Sequence, residues 1–384
     1  MKRYPIIPVN ISCNDLASGK ILSLSSVKIL SSKEKKSSSE TIIFFGKMKR
    51  KSSKSYDFDV SGKISFHPLQ PQIDNSTLME IEVYKHIIAP LIKKRITPHL
   101  KFFIGEATCD KNAFYEKIAN HKGIVDKLLR QQRLIRDDEE EDFYDYNKIH
   151  ILLTEKIMGK TLKEYLINPH LLTKEDWFSI LFQLFYTLEC FLEIKFMHND
   201  LHANNIFIEK LPKKQTICYK VSIPSRNRGK KEIKYFRLHT FYFLKIYDFD
   251  FSVSKNIRNT KVSSDTAMCL KKGACDTFRW YVDLYRITTS FYNFLKKFDG
   301  NLTEIKDWIV YFFNPIAYYP YVDLRRPGIL CGNSQNKICK KVDITEKIIK
   351  PPIYVLHYGF PQFSVSPNKN VNCFGTPLAS GEMK

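Results

Sequence analysis

Apolar side chains keep helical spacing most clearly between Glu175 and Phe196, where Trp177, Ile180, Leu181, Leu184, Phe185, Leu188, Phe191 and Leu192 recur every three or four residues. So broad an apolar face predicts a long, deeply buried helix, with Phe182, Phe185 and Tyr186 as core residues. Similar spacing over 76–95, behind a Ser/Thr start, and through FRWYVDLYRITTSFYNFL (278–295) predicts two more helices. The first 65 residues behave differently. KILSLSSVKIL, ETIIFFGKMK and FDVSGKISF are strand-like, and the polar linkers between them, such as SSKEKKSSSE, have the composition of solvated turns. HLKFFIGEATC and IHILLTEKI (149–157) continue the strands. A short helix is expected in GKTLKEYL, a strand in NIFIEK, and a strand and turn in FYFLKIYDFDFSVS (241–254). The tail, with its Pro-rich NPIAYYPY and KPPIYVL, reads as irregular. The prediction is an α+β protein in two parts: a β-rich part over 1–154 with a charged surface insertion at about 109–148, and a larger helical part over 155–384.

Composition narrows this picture. The chain of 384 residues is 43% hydrophobic and 26% charged, enough to bury a core. No window has the length and purity of a membrane span, because Gln183 and Glu189 interrupt the greasiest stretch. The basic N-terminus lacks the apolar run of a secretory signal, so an intracellular, cytoplasmic protein is expected. Nine cysteines without a C-x-x-C pair fit neither a zinc site nor a disulfide framework, and reduced, incidental thiols are expected. The net charge of +21 and the basic insertion at about 210–240 would attract an acidic partner or an anionic surface. A lysine-rich composition with solvated side chains explains the same charge, and no nucleic-acid module is recognisable.

The chemistry sits in FMHNDLHANNIFI (196–208), just after the long helix and just before a strand. Phosphoryl transfer needs positioning, metal ions and one carboxylate near the attacking hydroxyl. H-x-D-x-x-x-x-N supplies a carboxylate, Asp200, and an amide, Asn205, with His198 as a brace. Asp248 in KIYDFDF follows a strand and would supply a second metal-binding carboxylate.

HNDLHANN followed by DFD resembles the catalytic loop and metal motif of protein-kinase-like enzymes. The variant forms and the basic insert are most similar to the divergent Ser/Thr protein kinases of large nucleocytoplasmic DNA viruses, and haspin-like kinases share the DLH form of the loop. The resemblance implies a two-lobed fold of a small antiparallel sheet and a mainly helical lobe, together one kinase domain. It implies ATP and Mg²⁺ as cofactors, a Ser or Thr hydroxyl of a protein as acceptor, and action in a host cytoplasm or a virion. By position, Asp200, His198 and Asn205 match the catalytic set, Asn205 and Asp248 the metal ligands, and Asp283 the helix residue that braces the loop. Lys63 matches the phosphate-gripping lysine and Glu80 its helix partner. Lys47 and Lys49 compete with Lys63, and Glu82 with Glu80; about 200° of helical rotation separates the two acids, so only one can face the lysine.

Four departures bear on function. Asn199 replaces the arginine that commonly receives an activation-loop phosphate, so no phosphorylation between residues 252 and 277 is required. Asp250 replaces a glycine, as either an extra carboxylate near the metals or a residue tolerating the glycine's conformation. No G-x-G-x-x-G is present, and Gly19 is the nearest candidate for a phosphate loop. His202 stands where Ser/Thr kinases commonly place lysine, as in aminoglycoside and choline kinases. A small-molecule kinase and a catalytically weak kinase-like scaffold are therefore the alternatives.

Overall fold

The computed structural model describes residues 9–13, 16, 22–30, 41–48, 58–69, 76–110, 112, 144–225, 231–263, 274–317, 321–322, 329–331, 339–341, 350–366 and 372–377. The chain divides into two compact units, Met1–Pro90 with Lys101–Lys156, and Leu91–Leu100 with Ile157–Lys384. Sheets are largely antiparallel and helices are interspersed, a mixed α+β protein. Gly19, Lys49 and most of the 109–148 insertion lie outside the described residues.

The first unit is built on a six-stranded sheet. Its strands are β1 (Val9–Asn10), β2 (Leu22–Leu30), β3 (Thr41–Met48), β4 (Phe58–Pro68), β5 (Phe103–Asp110) and β6 (Tyr144–Glu155), in the spatial order β1-β5-β6-β4-β3-β2. Val60, Ile64 and Phe66 alternate along β4 and are buried, as a half-buried strand requires. Helix α1 (Ser76–Val83) runs on into a π turn, Tyr84–Ile88. Ile81, Val83 and Tyr84 are buried, and Tyr84 stacks on Phe103 of β5. At Gly62 the ring of Phe44 lies where a Cβ would stand, so the strand neighbour of Lys63 has to be glycine.

In the second unit, β7 (Gly159–Thr161), α2 (Leu162–Ile167) and α3 (Lys174–Glu193) lead to the two-residue strand β8 (Phe196–Met197). Thr173 and Asp176 form a reciprocal capping box that starts α3. The two polar interruptions of this helix have different fates. Gln183 is fully buried and pins α3 to the sheet, its Nε2 donating to Tyr242 O at 3.0 Å and its Oε1 accepting from Leu244 N at 2.9 Å. Glu189 is buried with little compensation, and burial pushes its carboxyl up to about 8.

Strands β9 (Ile206–Pro224) and β10 (Lys231–Ile246) form one long antiparallel ladder with a bulge between Thr240 and Tyr242. In the basic stretch expected as an insertion after a short strand, residues 210–224 and 231–240 are thus themselves strand, because Tyr219, Val221, Ile223, Phe236 and Leu238 bury one face of the ribbon, and 226–230 lie outside the described residues. His99 is sealed beneath it, bonded to Leu244 O and Tyr219 OH, and burial lowers its pKa to about 3. After β11 (Val253–Ser254) comes α4 (Tyr281–Tyr292), then two helices in the tail that was expected to be irregular, α5 (Thr303–Ala317) and α6 (Pro352–Gly359). Pro352 occupies the first turn of α6, where a missing N–H costs nothing. Trp308 of α5 packs on Phe178 and Phe185 of α3 and on Phe360 beyond α6.

The expectation of reduced cysteines is corrected. Cys13 is bonded to Cys109 in the first unit and Cys218 to Cys373 in the second, while Cys190 is free and buried. The pairs are 96 and 155 residues apart in sequence, and the folding of strands rather than any spacing motif brings them together.

Candidate active site

In the first unit, Lys63 projects from β4 to Glu80 of α1, with Nζ 2.7 Å from Oε2. The Glu80 carboxylate is 5% exposed and the lysine amine end 17%, so the pair is shielded from bulk water. Its rivals face elsewhere. Glu82 is half exposed and meets His86, one helical turn on, at 3.2 Å. Lys47 is exposed on β3, opposite Asp59 in the ladder.

In the second unit, the loop from His198 to Asn205 is held by its backbone. Asp283 in the first turn of α4 accepts the N–H of His198 through Oδ2 at 2.7 Å and that of Asn199 through Oδ1 at 2.8 Å. Asp283 is 4% exposed and burial raises its pKa against the pull of these donors, so the two bonds are the reason a carboxylate can reside there. His198 spends both ring nitrogens on backbone. Nδ1 accepts the Asp200 N–H at 3.3 Å, so Nε2 carries the proton and donates to Tyr247 O at 2.9 Å. That fully buried ring braces the loop and has no nitrogen left for a substrate.

The loop turns sharply at Asn199, whose φ of 65° is left-handed, a region that Asn enters more readily than most residues. Asp200 follows, with Oδ1 2.7 Å from Arg286 Nη1 of α4 and Oδ2 3.5 Å from His202 Nε2. Burial opposes its charge, but His202 and Arg286 outweigh burial and hold the carboxyl below its usual range. Asn205 donates from Nδ2 to Asp200 O at 3.0 Å, which turns the amide oxygen the other way. Tyr247 N in turn donates to Asn205 O at 3.2 Å. Because Ile206 pairs with Ile246, Asn205 and Asp248 leave the β9–β10 ladder at the same end. Asp248 also has a left-handed backbone, with φ 70°.

This donor set can be tested against a hard cation. Among the described residues no three His, Cys, Asp or Glu side chains gather as metal ligands. Asn205 and Asp248 instead offer an amide oxygen and a carboxylate, and a small hard cation of the Mg²⁺ kind is commonly held by one or two such groups plus substrate phosphates. The residues fit that use.

Asp250 pairs with a lysine of its own segment. Its backbone is not left-handed, and its Oδ2 is 2.9 Å from Lys261 Nζ, both side chains being nearly buried. Lys261 also lies over the Phe251 ring at 4.3 Å. Asn259, itself buried, donates to Asp250 O and Ser252 O, so residues 250–262 are bound to themselves. β11 pairs with β8 and ties this segment to the start of the loop. The Asn199 side chain donates to Cys275 O at 2.9 Å, a neutral tie where an arginine–phosphate contact would need charge. Arg286 and Lys261 carried no motif and were missed in the sequence. The one available signal was the i, i+3 spacing of Arg286 from Asp283 on a predicted helix.

No family model matches the chain. A curated protein of Acanthamoeba polyphaga mimivirus, described as "Putative serine/threonine-protein kinase R400", is 27% identical over 319 residues, covering 76% of this chain. The aligned part makes up 63% of that protein's length. This likeness supports a kinase-like family for the chain.

Proposed function

We propose that the chain is an ATP-dependent phosphotransferase, a two-lobed serine/threonine protein kinase that moves the γ-phosphoryl group of ATP to a protein hydroxyl with Mg²⁺. In this reading residues 1–154 form the nucleotide-binding lobe and residues 155–384 the catalytic lobe. The observation that carries it is the loop His198–Asn205, pinned by Asp283 and displaying Asp200 as a carboxylate kept charged in a half-buried setting. An ionised carboxylate of low basicity is suited to orienting an acceptor hydroxyl and receiving its proton late in a loose phosphoryl transfer. Lys63, steadied by Glu80, would grip phosphate oxygens, and Asn205 with Asp248 would hold the metal. When bound, the cation would offset charge on the phosphate oxygens. The description of the mimivirus relative lends support to a Ser/Thr acceptor.

The test is transfer of label from γ-labelled ATP with Mg²⁺ to a basic protein, an acidic protein and a panel of small alcohols, with Asp200→Ala as control. Label on protein Ser or Thr that disappears in the variant is the expected result. Label on a small alcohol alone would replace this reading with a small-molecule kinase, and no transfer to any acceptor would overturn it.

A further inference from the structure

Helix α4 touches the loop at three successive points. Asp283 takes the N–H groups of His198 and Asn199, Arg286 takes the Asp200 carboxylate, and Ser290 Oγ accepts the Ala203 N–H at 3.4 Å. Positions 283, 286 and 290 stand three and four residues apart, so they share one face of the helix. One rigid element therefore registers the loop from its first residue to its sixth. Two of these contacts act on backbone. The third acts on the side chain proposed to do the chemistry.

From this we infer that Arg286 is a positioning residue for phosphoryl transfer, fixing the Asp200 carboxylate so that Oδ1 is occupied and Oδ2 is presented to the acceptor hydroxyl. The inference rests on the kinase reading above and assigns it a residue that the loop motif does not contain. Asp200 is 24% exposed and would sample several rotamers if held only by its own chain. Arg286 is 12% exposed at its side chain, and its Nη1 makes a charge-assisted bond of 2.7 Å to one oxygen only. His202, 40% exposed, stands 3.5 Å from the other oxygen. A reacting carboxylate misplaced by about an ångström can lose on the order of 100-fold in rate. That sensitivity gives a partly buried guanidinium on a core helix a kinetic role beyond neutralising charge.

The experiment compares full-length wild type, Arg286→Met, Arg286→Lys, Asp200→Ala and the Asp200→Ala/Arg286→Met double variant in the labelled-ATP assay, with thermal unfolding of each. Arg286→Met is expected to lower kcat by about 100-fold while KM for ATP stays within about twofold, because the nucleotide contacts are made elsewhere. Arg286→Lys, which keeps the charge but not the planar fork, should recover part of the loss. In the Asp200→Ala background the methionine substitution should have no further effect on residual turnover, since Arg286 acts through the missing carboxylate. Unchanged kcat in Arg286→Met, or a full loss repeated in the Asp200→Ala background, would overturn the inference while leaving the kinase reading intact. A wild type that transfers no label would remove both. If the methionine variant unfolds, the lysine variant decides: kcat reduced at unchanged KM supports positioning, and equal loss of folding and turnover refutes it.

Discussion

Removing the Asp283 carboxylate should loosen the His198–Asn205 loop by an amount that can be worked out. The side chain is 4% exposed, and the two residues it serves, His198 and Asn199, are fully buried. In Asp283→Ala both N–H groups, now bonded at 2.7 and 2.8 Å, lose their acceptor in a place water does not reach. A buried donor left without a partner costs about 1–3 kcal/mol, so the pair sets a range of about 2–6 kcal/mol. Relief of the buried carboxylate, whose pKa is raised by desolvation, offsets part of this, and about 2–4 kcal/mol is expected. Asp283→Asn retains one acceptor oxygen and should lose about half as much. The three tryptophans, Trp177, Trp280 and Trp308, all lie in the second unit, so guanidinium denaturation followed by their fluorescence reports on the unit that contains the loop. Turnover should fall more steeply than stability, because Asp200 stands next to the second pinned N–H. An alanine variant within about 0.5 kcal/mol of wild type, well below the cost of even one orphaned donor, would refute the argument that these bonds hold the loop.

Three further outcomes are expected. Glu80→Gln should weaken ATP use while Glu82→Gln changes kcat/KM less than about twofold, since the exposed Glu82 pair contributes little; equal effects would mean Lys63 does not depend on Glu80. Glu189, raised to about 8 by burial, faces Glu193, the Ile353 N–H and Lys231, and its protonated form is the one the fold prefers. Its contribution is fully present below the ordinary carboxyl pKa and is lost as pH rises to about 8, at about 1.4 kcal/mol per pH unit. Glu189→Gln should therefore flatten the stability–pH curve between pH 5 and 8, and an unchanged slope would show the carboxyl is not responsible. Replacing the Ser and Thr residues between 252 and 277 with alanine should leave turnover largely intact, whereas Lys261→Met should lower it by releasing Asp250, a partly buried ion pair; collapse of the alanine variant would show that phosphorylation is needed after all.

The chain's own sequence determines more of the local frame than of the contacts. Helical spacing from Glu175 to Phe196 marked α3 to within a few residues, because a helix buried on nearly every side must be apolar at nearly every position. The loop was legible as a candidate site because Asp200 and Asn205 sit in one short segment with the spacing of a recognisable motif. That only one of Glu80 and Glu82 can face Lys63 followed from 100° of rotation per residue, a property of any helix, and the packed chain shows it to be Glu80. Tertiary structure decided what depended on distant residues. Basic residues of 210–224 and 231–234 joined a ladder because the apolar side of the ribbon has α3 to pack on, and α5 and α6 formed in proline-rich sequence through Trp308 and Phe360. Cys218 met Cys373 across 155 residues. Asp250 took Lys261 as its partner, and Asp200 took Arg286 from a helix 86 residues away. Periodicity and motif spacing encode interactions within a turn or a loop, whereas a counter-ion supplied by another element has no fixed separation in sequence, and only the packed chain specifies it.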